Sequence, residues 1–232
     1  MALRDQGLTT VAFDLRGHGR SGGRRAFVRR FDQYLADLDL ELAQLPSAEP
    51  ARPVFLFGHS MGGAIATLYA LDRRPRLAGL VLSAPALRRP ATVSAGAAGF
   101  TRLLSMLAPT AGIFRLEDRD FSRDPAVVSA MAADPLIYHR PAPARTAGEL
   151  LRAMDRIRAR QAEIVCPLLA LHGAADRLTA PEGSREIVRA ARSTDKEVRI
   201  YPGLYHDLLH EPERASIRSE IVAWIGTRLA SQ

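Results

Sequence analysis

Short apolar runs alternate along this chain with longer stretches that have the three- and four-residue spacing of amphipathic helices. Continuous apolar runs are typical of strands buried on both faces, and strands joined through helices lie parallel. The pattern therefore predicts an α/β fold, with a mostly parallel sheet and helices on both of its faces. The predicted strands are residues 8–14, 53–57, 77–83, 167–172 and 197–201.

One long stretch, residues 88–162, interrupts this alternation. It has no convincing strand, carries several prolines and contains an apolar helical segment at 93–107. We interpret it as a helical lid, or cap, inserted into a single domain that spans residues 1–232. Outside the lid, the spacing of apolar residues predicts four helices. These are residues 27–45, 61–71, 181–191 and 213–229.

Size and composition agree with one globular domain. The chain has 232 residues, of which 47% are hydrophobic and 25% charged, and no apolar run reaches the length of a membrane span. The N-terminus lacks the pattern of a secretory signal, and the single cysteine, Cys166, excludes an intramolecular disulfide. These features predict a cytoplasmic protein.

The net charge of +7 raises the possibility of a nucleic-acid partner. The densest basic cluster is Arg24, Arg25, Arg29 and Arg30, with Phe27 and Phe31 among them. These phenylalanines could stack on bases, or they could face inward from a solvated helix start. Because the arginines are scattered along the whole chain, we favour the second interpretation and expect no nucleic-acid partner.

The strongest chemical signal is the pentapeptide GHSMG, residues 58–62, which lies between a predicted strand and a predicted helix. It fits the pattern G-x-S-x-G, in which a sharp turn exposes the central serine at the N-terminus of a helix. Backbone N–H groups there can receive a developing oxyanion. The pattern predicts Ser60 as a nucleophile, whereas by itself it could also mark a merely tight turn.

A serine nucleophile needs a base, and the base needs an acid that orients it. Asp176 follows the predicted strand 167–172, and His206 follows the last predicted strand. Both lie at the carboxyl ends of parallel strands, where sites in open α/β sheets form. We therefore predict Asp176 as the acid and His206 as the base.

The remaining polar candidates have structural interpretations. We expect His59 to pack beside the serine turn, His172 to lie in the core and His18 to make a structural hydrogen bond in its glycine-rich turn. Asp14 is expected to stabilise that same turn, and Cys166 to be a buried small residue. Two acids, Asp207 and Glu211, are too close to His206 in sequence to reach behind its ring. No spacing predicts a metal site, and no cofactor is expected.

Several motifs in order resemble the monoacylglycerol lipase and lysophospholipase branch of the α/β-hydrolases, the serine-aminopeptidase-like group. They are FDLRGHGRSGG at 13–23, FLFGHSMGGAIA at 55–66, LVLSAPAL at 80–87, LALHGAADRLTAPEGS at 169–184 and YPGLYHDLLHEPE at 201–213. The lid phrase at 134–154 is also similar to lids of bacterial members. The resemblance implies the α/β-hydrolase fold, Ser60, Asp176 and His206 as a catalytic triad, and the Met61 N–H as one oxyanion donor.

The front of the chain departs from this family. Members begin with about three strands and a His-Gly loop, which precede the helix that corresponds here to Met1 onward. That loop supplies the second oxyanion donor, and nothing in residues 1–20 matches it. We therefore expect an N-terminally shortened member that lacks the first strands.

Three functions follow as hypotheses. The first is hydrolysis of carboxylic esters of monoacylated lipids through an acyl-enzyme on Ser60. The second is a short-chain esterase or other hydrolase with the same triad, and the third is an inactive form that lacks the second oxyanion donor. The apolar lid residues could form an acyl tunnel, touch a membrane surface or simply pack on the domain. They are Val93, Phe100, Leu103, Leu104, Met106 and Leu107.

Overall fold

A computed structural model describes residues 7–45 and 52–230 of the chain. The strands in these ranges are β1 (Phe55–His59), β2 (Gly79–Ser83), β3 (Gly112–Phe114), β4 (Ala142–Pro143), β5 (Leu168–Gly173) and β6 (Lys196–Tyr201). The helices are α1 (Asp32–Ala43), α2 (Met61–Arg73), α3 (Ala95–Leu107), α4 (Pro125–Ala133), α5 (Ala144–Arg160), α6 (Pro181–Ala190) and α7 (Arg214–Leu229). Among these helices, none is long and apolar enough to cross a membrane.

The centre of the fold is a parallel sheet of four strands in the order β1-β2-β5-β6. Because successive side chains of a strand point to opposite faces, the buried strands β2 and β5 contribute to two separate cores. Leu80 and Leu168 face a core formed with α1, α2, α5 and α6, whereas Val81 and Leu169 face α7. Helices therefore cover both faces of the sheet, as predicted.

Four of the five predicted strands are confirmed within two residues, and the prediction of a strand over 8–14 is wrong. Those seven residues pair with no described strand, so no hydrogen-bond ladder forms there. The predicted helix 27–45 begins later, at Asp32, and buries Tyr34, Leu35 and Leu38. The helix expected from Met1 onward falls largely outside the described residues.

The stretch 88–162 contains two short strands that sequence patterns did not predict. β3 and β4 pair antiparallel and lie apart from the main sheet. The C-terminal half of α5 contributes Ala153 and Ile157 to the main core. The division of the chain into a domain and a cap over 88–162 stays a prediction, and the contacts of α5 favour a cap that ends before this helix.

The outer side of β1 differs from the rest of the sheet. Within the described ranges β1 pairs only with β2, so its other edge has no neighbouring strand. Phe57 of β1 is 43% exposed. The ring of Phe55 packs edge-on against Trp224 of α7, with 6.2 Å between the ring centroids. A Cβ added at Gly79 would lie 2.7 Å from Trp224, so a glycine lets this helix approach the sheet.

Candidate active site

Ser60 occupies the sharp turn between β1 and α2. Its backbone lies at φ 53° and ψ −122°, a conformation that costs energy in a residue with a side chain. The surrounding backbone holds it there. The Ser60 N–H donates to the Ser83 carbonyl at 3.0 Å, and the Ser60 carbonyl accepts from the Ala86 N–H at 2.9 Å. The predicted strand–turn–helix geometry is confirmed.

Two glycines are sterically required at this turn, and the pattern G-x-S-x-G marks only one of them. A Cβ at Gly58 would lie 2.5 Å from the Gly62 carbonyl oxygen, and a Cβ at Gly63 would lie 2.6 Å from Pro85. Apart from its chain neighbours and the adjacent backbone of α2, no heavy atom of the described residues would lie within 4 Å of a Cβ at Gly62. The turn therefore requires Gly58 and Gly63, whereas Gly62 is open.

Asp176 lies in the loop after β5, and its carboxylate is fully buried. One oxygen, Oδ1, accepts the N–H groups of Leu178 at 2.7 Å and Thr179 at 3.0 Å. The other, Oδ2, accepts from Nδ1 of His206 at 2.7 Å and from the Thr179 hydroxyl at 2.8 Å. Burial alone would raise the pKa of Asp176, but hydrogen bonds from His172, His206 and the Thr179 backbone hold it below its usual value.

His206 is also buried, in the loop after β6. Since Nδ1 donates to Asp176, the neutral ring has its lone pair on Nε2. This nitrogen is buried and has no hydrogen-bond partner among the described residues. The ring lies 4.8 Å from the His59 ring, centroid to centroid, and His59 immediately precedes Ser60. The structure therefore brings Asp176 and His206 into contact beside the serine turn.

The expectation for His59, packing beside the turn, is confirmed. Its Nδ1 lies 3.1 Å from the Ser83 carbonyl oxygen, which fixes the ring against the end of β2. Burial, and then the charge of the neighbouring His206, lower the pKa of His59 to about 4. His59 is therefore neutral at physiological pH and places no charge beside the base.

Sequence reasoning placed His172 in the core but missed its contact with the acid. Its Nε2 lies 3.0 Å from Oδ2 of Asp176, and its Nδ1 lies 2.8 Å from the hydroxyl of Ser184 on α6. The only signal in the sequence is that His172 precedes Asp176 by four residues across a strand end. Ser184 carries no such signal, because its position depends on how α6 packs on the sheet.

A segment after β3 closes over His206 and was not predicted either. The ring of Phe121 meets the His206 ring edge-on, with 5.5 Å between centroids, and its carbonyl accepts the Asp207 N–H at 2.7 Å. Arg123 donates to Glu211 at 2.9 Å. Glu211 is fully buried and also accepts the Tyr205 N–H at 2.8 Å, so it ties this segment to the loop that carries the base.

The other sequence-predicted residues have structural positions. His18 Nδ1 lies 3.0 Å from the Arg16 carbonyl oxygen, and Asp14 accepts the Arg20 N–H at 2.7 Å, so both turn predictions are confirmed. Cys166 is only half-buried, although burial still raises the pKa of its thiol. Phe31 faces inward as expected.

Comparison with known proteins decides the family. The family model of the serine aminopeptidases, S33, matches residues 1–213. The chain belongs to this family. The predicted resemblance is thereby confirmed, and with it the expectation of a hydrolase.

Individual relatives of the family support the same conclusion. A monoacylglycerol lipase of Mycolicibacterium smegmatis is 36% identical over 223 residues, which are 96% of this chain and 80% of the relative. The human monoglyceride lipase is 34% identical over 97% of this chain and 75% of its own length. The crystal structure of a monoacylglycerol lipase from Paleococcus ferrophilus superposes with a TM-score of 0.83 at 29% identity, covering 94% of this chain and 82% of that one. The α/β-hydrolase fold and the expected class, carboxylic ester hydrolase, are confirmed.

Proposed function

We propose that the chain is a serine hydrolase that cleaves the ester bond of a monoacylated lipid, a monoacylglycerol or a lysophospholipid. The observation that carries this proposal is the buried His206, whose Nδ1 donates to Asp176 while Nε2, beside the turn that bears Ser60, has no partner in the described part of the chain. The names of the relatives supply the substrate class, since they are lipases of monoacylglycerols.

In the first half of the reaction, Nε2 of His206 removes the proton of the Ser60 hydroxyl as Oγ attacks the ester carbonyl carbon. Asp176 fixes the tautomer that leaves Nε2 free and stabilises the imidazolium that forms. The Met61 N–H begins α2, where N–H groups have no partner within a helix, and it receives the oxyanion. Collapse of the tetrahedral intermediate breaks the bond to the alcohol, which leaves with the proton from Nε2.

In the second half, Nε2 removes a proton from water as its oxygen attacks the acyl carbon of the acyl-enzyme. The second tetrahedral intermediate releases Ser60, which regains its proton from His206, and the free fatty acid departs. Water is consumed, and one proton passes through the same nitrogen in each half. The buried acid keeps its charge throughout, in agreement with the direction of its pKa shift.

The region between β2 and α5 would serve as a cap that binds the acyl chain and contacts a lipid surface. Phe100, Leu103, Met106 and Leu107 of α3 are exposed, from 47% to 74%. Phe100, Leu103 and Leu107 follow the three- and four-residue spacing of one helix face. Such a face favours transient contact with a bilayer surface. A cytoplasmic location with peripheral membrane contact is therefore part of the proposal.

A fluorophosphonate probe, which labels activated serines, tests the nucleophile. We expect the wild-type chain to be labelled once and Ser60→Ala not to be labelled. Ser219→Ala, which removes an exposed hydroxyl on α7, is the matched control and should be labelled like the wild type. Labelling that survives Ser60→Ala, or no labelling of the wild type, would refute the assignment.

A series of glycerol and p-nitrophenyl esters of increasing acyl length tests the substrate class. We expect kcat/KM to rise toward long chains and monoacylglycerols to be cleaved. A preference for short chains would instead indicate the esterase alternative. Vesicle sedimentation tests the surface contact, with Leu103→Ser and Leu107→Ser on α3 compared with Leu40→Ser, an equally exposed leucine on α1.

A further inference from the structure

We infer that His172, held by Ser184, is a positioning residue for the acid Asp176. This inference rests on the proposed function, because it concerns how the acid of that reaction is kept in place. His172 touches no reacting atom in the proposed mechanism, and its effect on catalysis passes through the carboxylate. The structure places two histidines, His172 and His206, on the same oxygen of Asp176.

The hydrogen bonds assign the tautomer of His172. Asp176 accepts only, so Nε2 of His172 must carry the proton that it donates across 3.0 Å. Nδ1 of the neutral ring must then accept, and the Ser184 hydroxyl is placed to donate to it at 2.8 Å. All three side chains are fully buried, so water cannot replace a lost donor. A hydroxyl of Ser184 that donates to Nδ1 therefore favours the tautomer of His172 in which Nε2 carries the proton directed at the acid.

The contact with His172 stabilises the charged form of Asp176, which burial disfavours. A buried carboxylate must be stabilised by donors, or it takes up a proton or rotates toward other partners. Oδ2 lies against His206, His172 and Thr179, so His206 supplies only one of its donors. With His172 in place, the carboxylate stays charged and keeps its orientation when Nδ1 of His206 shifts during turnover.

The consequence for pH dependence follows from the charges around His206. Asp176 faces its Nδ1, His59 lies against its ring, and Asp207 is the adjacent residue in the same loop. Removal of the His172 donor leaves more of the Asp176 negative charge directed at His206. The imidazolium then keeps its proton to higher pH, which moves the acid limb of the kcat/KM profile upward.

The test compares purified full-length variants in steady-state hydrolysis of one monoacylglycerol across a pH series. Ser184→Ala removes a single hydroxyl and frees the tautomer of His172. His172→Leu removes the donor, whereas His172→Gln keeps an N–H that can reach Asp176. Ser193→Ala is the matched control, because Ser193 is a buried serine whose hydroxyl bonds only within its own turn before β6.

We expect Ser184→Ala and His172→Leu to lower kcat about 10-fold with KM unchanged, and to move the acid limb to higher pH. His172→Gln should restore much of kcat, and Ser193→Ala should match the wild type. An unchanged kcat and limb in Ser184→Ala would overturn the inference. A fall in kcat with an unchanged acid limb of the pH profile and no recovery in His172→Gln would also overturn it, because that result would indicate an effect of packing alone. Absence of hydrolysis and of Ser60 labelling in the wild type would instead overturn the proposed function itself.

Discussion

The two sides of the candidate site are held by different means. On the nucleophile side, at the end of β1, Ser60 is positioned by backbone hydrogen bonds and by glycines that admit close approach. On the acid–base side, at the ends of β5 and β6, Asp176 and His206 are positioned by a network of buried side chains. Backbone geometry leaves a local motif in the sequence, whereas the side-chain network joins two loops, with 30 residues between Asp176 and His206.

This difference predicts which substitutions each side tolerates. The nucleophile side should be sensitive to added volume and insensitive to polar changes. The acid–base side should be sensitive to the loss of single donors and acceptors, because each buried polar group there depends on a specific partner. The following substitutions test that contrast.

The largest effect is expected at the acid. Asp176→Asn keeps the shape of the side chain but can donate to Nδ1 of His206 and thereby favour the wrong tautomer. We expect kcat to fall about 10⁴-fold with the fold intact. Asp207→Asn is the matched control, since Asp207 adjoins the base but bonds outward to His210 at 2.8 Å. Comparable losses in both variants would show that the acid has been misassigned.

The serine turn should respond to a single methyl group. Gly58→Ala forces a Cβ to within 2.5 Å of the Gly62 carbonyl oxygen, so we expect it to lower the free energy of unfolding by about 3 kcal/mol. Gly62→Ala meets no neighbour and lies in a helix, where alanine is favoured over glycine by about 1 kcal/mol. Urea unfolding of the two variants checks this, and equal destabilisation would contradict the steric account.

The salt bridge between Arg123 and the buried Glu211 should contribute more to the free energy of unfolding than exposed ion pairs do. Arg123→Gln leaves the fully buried Glu211 without its cation, and we expect a loss of about 2 kcal/mol because Arg123 is itself one-third exposed. Arg74→Gln breaks a surface pair with Glu163 and should cost much less than Arg123→Gln, because solvent screens the pair. Urea unfolding of both variants checks this. A larger loss in Arg74→Gln than in Arg123→Gln would contradict a stabilising role of the Arg123–Glu211 salt bridge.

The smallest expected effect is a dependence of the free energy of unfolding on pH, which arises from His59 on the nucleophile side. His59 has a pKa of about 4 in the folded chain and an ordinary value near 6.5 when unfolded. Its contribution to stability is therefore complete above about pH 6.5 and is lost as the pH falls toward 4. Because His59 as a whole residue is only half-buried, we expect a loss of about 1–2 kcal/mol between pH 7 and pH 5. His59→Gln should reduce this loss, and an identical pH dependence in the variant would contradict the assignment.

Sequence patterns predicted the parts of the molecule that local chemistry determines. The buried runs of β2 and β5 and the turn at Ser60 each have their signal within a few residues. The same reasoning was wrong for residues 8–14, because a strand exists only where a neighbour pairs with it, and the sequence of one segment does not contain that neighbour. β3 and β4 were missed because strands of three and two residues are too short to show a period.

At the site, the contact between Asp176 and His206, the proposed acid and base, could be anticipated because each follows a strand and chain order limits the choice. Phe121 and Arg123 could not be predicted, because their contacts join segments that lie far apart in the chain. Ser184 lies only 12 residues from His172, but their contact depends on how α6 packs on the sheet. Glu211 is buried and bonds to Tyr205 and Arg123 rather than to His206, and this position depends on the fold of the loop. A hydrogen bond such as that between Arg123 and Glu211, which are 88 residues apart, has no signature within a sequence window.

The contact of Trp224 with β1 has a practical consequence. Trp224 is the only tryptophan in the chain, and it is buried between Phe55 and the guanidinium of Arg228, which lies 3.6 Å from the ring centroid. Its fluorescence therefore originates from one place, the junction of α7 with the outer strand of the sheet. A change in its emission therefore reports, without any added label, that α7 has separated from β1. The serine turn lies at the other end of β1.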